Sequence, residues 1–168
     1  MTGPFDLVVT AWGARFAGRR IPCAVGFGGV GGKAGEGDGI TPRGTWRLAE
    51  VWYRPDRVPT PGGILPLRAI GPVDIWSDDP ADPRYNCHRR DRAPAFGHEK
   101  LRRSDRLYDL LAVVDFNWPD PAPGAGSAIF LHRWRGPRVP TAGCVAFRCD
   151  DLAAILGRWT RRSRLVIR

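Results

Sequence analysis

A chain of 168 residues with 43% hydrophobic residues and seven Trp is large enough for one complete core and too apolar to stay disordered. Its net charge of +9 favours anionic partners: nucleic acid, acidic lipid or an acidic polymer. No stretch approaches the roughly 20 apolar residues that a membrane-spanning helix requires, and 21 Gly with 16 Pro in no repeating period imply many turns between short strands.

Residues 1–168 read as a single domain. Phe5 to Thr10 is predicted as a strand and Arg19 to Phe27 as another, with a turn at Gly13 between them. Met1 to Gly13 lacks a basic leader and its apolar run breaks at Trp12-Gly13, so it does not read as a secretory signal. The glycine-dense segment Gly26 to Gly39 contains Gly26-x-Gly28-x-x-Gly31, formally a dinucleotide fingerprint. That fingerprint needs a helix whose N-terminus faces the pyrophosphate, and here glycines run on into Thr41-Pro42 with no helical pattern between. A phosphate loop fails as well, because Gly32-Lys33 is followed by Ala34. A mobile hairpin leading into a turn is the expectation instead. Thr45 to Trp52 alternates as a strand, Arg54 to Pro72 is irregular, and Val73 to Trp76 is a short strand.

Cys87, His88 and His98 invite a metal site. Adjacent Cys-His is poor spacing for a tetrahedral ion and no C-x-x-C pair supports it, so neither metal nor cofactor is expected. Ser104 to Phe116 opens like a helix, yet Leu110 to Phe116 is apolar and β-branched in the manner of a buried strand. Pro119, Pro121 and Pro123 stiffen Asn117 to Gly126 into a flap. Further on, Asp150 or Asp151 offers an N-cap, and Leu152, Ile155, Leu156 and Trp159 form one helical stripe before a terminal strand, Leu165 to Ile167. The expected fold is mostly β, with one or two helices. Of the four cysteines, a Cys23–Cys87 bridge is open in an oxidising compartment and not deducible.

The most reactive arrangement lies between Ala128 and Cys149. An apolar run, Ala128 to Leu131, delivers His132; an arginine-rich loop follows; Thr141-Ala142-Gly143-Cys144 then leads into a second apolar run, Val145 to Phe147. A cysteine and a histidine at the ends of two short strands suit a thiol nucleophile and the base that takes its proton. Gly143 lets the backbone turn so that main-chain N–H groups can face a developing oxyanion. The competing reading is that Cys144 is a small buried hydrophobe and His132 an ordinary strand residue.

These residues resemble the YkuD-type L,D-transpeptidases of bacterial peptidoglycan. The likeness rests on His132, on Thr141-x-Gly143-Cys144, and on a separate upstream segment, Gly37-Asp38-Gly39-Ile40-Thr41-Pro42-Arg43-Gly44. Ala142 and Ala146 depart from the commoner pattern of His, and of Arg or Asn, with Arg148 as a substitute polar group. The resemblance implies a β-sandwich-like catalytic domain in which Cys144 attacks a stem-peptide carbonyl and His132 is the base. It also implies that Thr141 contacts substrate, that Arg133, Arg135, Arg138 and Arg148 receive the stem's carboxylates, and that the Asp82–Leu101 region lines the groove, with the Tyr85 hydroxyl and His98 or Glu99 meeting the stem. The implied partner is a diaminopimelate-containing stem peptide and not nucleic acid, the location the periplasm, and the state a monomer. The compact chain and the proline flap are similar to a branch joining stem position 1 to position 3; position 3 to position 3 is the commoner linkage. A cysteine hydrolase of wall peptides, or a basic binding module indifferent to Cys144, are the other functions the residues allow.

Overall fold

The computed structural model describes residues 2–168, and its centre is a six-stranded sheet. Across it run Cys23–Ala24, Val145–Phe147, Phe130–Arg133, Leu110–Val114, Leu48–Tyr53 and Leu67–Ala69. Side chains alternate along each strand: Leu110, Ala112 and Val114 enter one core, Leu111 and Val113 another. With both faces covered, every residue of Leu110–Val114 is buried, which accounts for its unbroken apolar run.

The first core lies against a five-stranded sheet: Arg19–Ile21, Gly13–Phe16, Leu7–Thr10, Leu165–Ile167 and Gly44–Trp46. Leu7, Val9 and Phe16 of that sheet meet Val51, Leu131, Val145 and Phe147 of the central one. The helix Cys149–Gly157 contributes Leu152, Ile155 and Leu156, with Trp159 just beyond its end. The second core is closed by a three-stranded sheet of His88–Arg90, Asp74–Ser77 and His98–Lys100, whose Trp76 meets Phe130 edge-on at 5.2 Å. Mostly β, sandwich-like and carrying one helix among the described residues, the architecture is the one expected.

Some boundaries differ from the expectation for physical reasons. The strand read over Arg19 to Phe27 is two strands in two different sheets, Arg19–Ile21 and Cys23–Ala24, parted at Pro22, which has no N–H to donate. Thr45 to Trp52 likewise crosses between sheets at Arg47, whose amide leaves the ladder to bond Asp115 Oδ1 at 2.7 Å. The helix starts earlier than Asp150: Arg148 occupies the N-cap position without a side-chain cap, and Asp150 and Asp151 lie in the first turn, where negative charge suits the helix dipole. All four cysteines are free.

Candidate active site

The histidine and cysteine strands are parallel neighbours, with Leu131 opposite Val145 and His132 opposite Ala146. Parallel pairing cannot close through a tight hairpin, so the chain crosses over through Trp134–Cys144, and that crossover is the arginine-rich loop. The period of two then assigns the faces. Leu131, Val145 and Phe147 enter the first core, whereas Phe130 and Cys144 turn to the second, and His132 shares that side.

There, Cys144 and His132 line one cleft of about 430 Å³. Cys144 is 9% exposed and reached from the cleft. Its Sγ donates to the Ala128 carbonyl at 3.2 Å and accepts the Phe130 N–H at 3.3 Å. Burial pushes the thiol up to about 12 against the pull of the Phe130 N–H. Buried His132 packs edge-on to Tyr108 at 5.4 Å, and its Nδ1 lies 2.7 Å from the Arg133 carbonyl. With a proton on Nδ1 the ring donates there and leaves Nε2 bare as a base. Burial brings the imidazole down to about 4, the carbonyl opposing. The resting pair is therefore an uncharged thiol and an uncharged imidazole, and its thiol proton faces Ala128. No hydrogen bond joins Sγ to the imidazole among the described residues, and such contacts commonly tighten only once substrate is bound.

Both sequence motifs converge on the Cys144 carbonyl. It accepts the Thr141 hydroxyl at 2.6 Å and the Thr41 hydroxyl at 3.5 Å. Thr41 Oγ1 also accepts the Gly26 N–H at 2.8 Å, which ties the glycine-dense segment to the Cys144 loop. A side chain at Gly26 would collide with the Gly39 carbonyl, so these glycines serve close packing of backbone on backbone. Gly143 has φ +142°, and a Cβ on it would stand 3.1 Å from the Ile40 carbonyl oxygen. Its amide donates to Thr141 Oγ1 at 3.1 Å and is thereby committed within the loop.

The other sequence candidates lie elsewhere. The Tyr85 hydroxyl is buried behind the cleft, donating to Glu36 and accepting the Gly126 N–H at 3.0 Å. His98 has its Nδ1 3.0 Å from the Phe96 carbonyl and lines a separate depression with Asp91 and Lys100. Arg138 donates to the Trp12 carbonyl at 3.3 Å on the far side of the crossover loop. Arg148 is exposed beside Asp150 and Asp151. His88, one of the metal candidates, is 2.9 Å from Asp74 and packs on Trp52, apart from His98.

Sequence reasoning passed over Lys33. Its ammonium is almost wholly enclosed, bonded to Asp38 Oδ1 at 2.6 Å, and 3.7 Å from where a Gly143 Cβ would be. Burial opposes the Asp38 charge, but Lys33 and the Ile40 and Ala34 amides outweigh it and bring that carboxyl to about 2. One signal was available: the chain has only two lysines, Lys33 and Lys100, amid many arginines. Glu36, Asp78 and Glu99 form an acidic wall of the same cleft, faced by Arg103 and Arg135.

Residues 12–167 match the model of the YkuD L,D-transpeptidase catalytic domain. The chain belongs to that family, whose activity is directed at peptidoglycan. Comparison with the curated proteins and with the solved structures found no match.

Proposed function

We propose that this protein is a cysteine L,D-transpeptidase that joins peptidoglycan stem peptides through a thioester on Cys144. The observation that carries the reading is the register of two parallel strands, which puts a reachable thiol and an imidazole with a bare Nε2 on one side of the sheet, in one cleft.

The thiol turns from Ala128 and passes its proton to His132 Nε2 as Sγ bonds to the donor carbonyl carbon. Negative charge on the carbonyl oxygen is met by the Cys144 amide and the Lys33 ammonium, groups already fixed in position. Gly143 acts by its conformation, aiming the Cys144 amide. The imidazolium protonates the leaving amine as the C–N bond breaks, and a thioester remains. An acceptor amine then attacks, gives its proton to Nε2, and releases the thiol with a new amide bond. Thr141 holds the loop through this cycle, and the burial of Cys144 limits the water that would hydrolyse the thioester.

The stem supplies both carboxylates and an amine. Arg135 and Arg103 in the cleft suit the carboxylates as charge-assisted forks, and Glu99 and Asp78 suit the amine. The product is a 1,3 or 3,3 crosslink made in the periplasm. Incubation with purified muropeptides, followed by tandem mass spectrometry, tests this. Crosslinked dimers are expected, and their fragment ions assign the joined positions; trimmed monomers without dimers would make the protein a hydrolase.

A further inference from the structure

On the far side of the crossover loop lies a second groove of about 520 Å³. Trp12, Arg15, Arg20, Arg138 and Arg168 line it, with no carboxylate side chain among them. None of the four arginines forms an ion pair among the described residues. Trp12 is 81% exposed, the most exposed large hydrophobic residue described. Its turn is nevertheless fixed: the Thr10 hydroxyl donates to the Gly13 carbonyl at 3.0 Å and accepts the Trp12 N–H at 3.2 Å, while Arg138 holds the Trp12 carbonyl. An indole held out in this way covers no core, and guanidinium groups around it without a carboxylate partner suit anions.

We propose that this groove binds the glycan strand of the wall polymer, the indole lying on a sugar face and the arginines taking carboxylates of the substituents. The proposal rests on the reading of Cys144 for the identity of the polymer. Two observations favour a carboxylate-bearing polysaccharide over other anions. The groove is concave and carries one aromatic plane, whereas a lipid surface is met by a protruding apolar patch and a nucleic-acid strand by a series of stacked rings. It also adjoins the cleft across a single loop: Arg138 lines the groove, while Val139, Pro140 and Thr141, next in sequence, line the cleft. A strand lying in the groove thus passes its peptide over that ridge towards Cys144.

The test is co-sedimentation with purified sacculi, in a Cys144→Ala background so that turnover plays no part. Trp12→Ala and Arg20→Glu are each expected to lower the bound fraction about five- to tenfold, from the loss of one aromatic contact or the reversal of one anion contact. Arg162→Glu, an exposed charge reversal outside the groove, is expected to stay within about twofold. Unchanged thermal midpoints show that the groove variants are folded. Sedimentation of folded Trp12→Ala and Arg20→Glu to the same extent as the Cys144→Ala parent would overturn the proposal. So would groove-dependent binding to phosphatidylglycerol vesicles or oligo-dT in place of sacculi. Because no reaction is measured, an absence of crosslinking activity would count against the Cys144 reading and leave this result standing.

Discussion

Cys144 and His132 are both uncharged at rest, because the same burial that raises the thiol lowers the imidazole. Reactivity towards a small alkylating agent then follows the thiolate fraction alone, with no imidazolium beside it above about pH 5. With the thiol at about 12, the alkylation rate of the Cys144 peptide should keep rising through pH 9, followed by mass spectrometry of iodoacetamide-treated protein. A plateau near pH 7 would mean a thiolate–imidazolium pair instead. At Gly143, φ +142° and the nearby Ile40 carbonyl both oppose a side chain. Gly143→Ala should cost about 1–3 kcal/mol in denaturant unfolding, the range for a residue held in a sparsely populated conformation. Thr141→Val removes the hydroxyl that bonds both the Gly143 amide and the Cys144 carbonyl. It should cost about 1–3 kcal/mol and, on the proposed mechanism, lower turnover more than it lowers substrate affinity, since Cys144 shifts with the loop.

The elements that present the pair depend on the helix Cys149–Gly157, which seals the first core directly after the cysteine strand. Leu156→Ala should destabilise by about 2–5 kcal/mol in urea unfolding, the usual cost of emptying a buried leucine site. The Lys33–Asp38 pair anchors the glycine-dense segment beside the Gly143–Cys144 loop. Asp38 is depressed from 3.8 to about 2, so its contribution is fully present above pH 4 and is lost as pH falls towards 2. Asp38→Asn should flatten that part of the stability–pH curve, and an unchanged curve would separate the pair from acid unfolding. That Cys144 and His132 would share one cleft was legible because an apolar run ending in His132 and the T-x-G-C segment are local patterns with a chemical meaning. Lys33 was not, because its place beside Gly143 arises from glycine backbones in mutual contact, which leave no period to read. Tyr85 and His98 illustrate the reverse case: the resemblance implied substrate contact, while a long-range bond to Glu36 engages the Tyr85 hydroxyl and a local one to the Phe96 carbonyl engages His98.

Over the whole molecule, the central sheet divides labour between its faces. One packs against the five-stranded sheet and the helix for stability; the other carries Cys144 and His132 in a smaller core that opens to solvent. The net charge of +9 is distributed to match: carboxylates gather at the cleft, and unpaired arginines line the groove behind it. The most direct measurement of the central claim is the mass of the products that wild type, Cys144→Ala and His132→Ala form from one preparation of muropeptides. The account predicts dimers from the wild type, a transient acyl adduct on Cys144, and no dimers from either folded variant. Dimers formed by Cys144→Ala at the wild-type rate would contradict it.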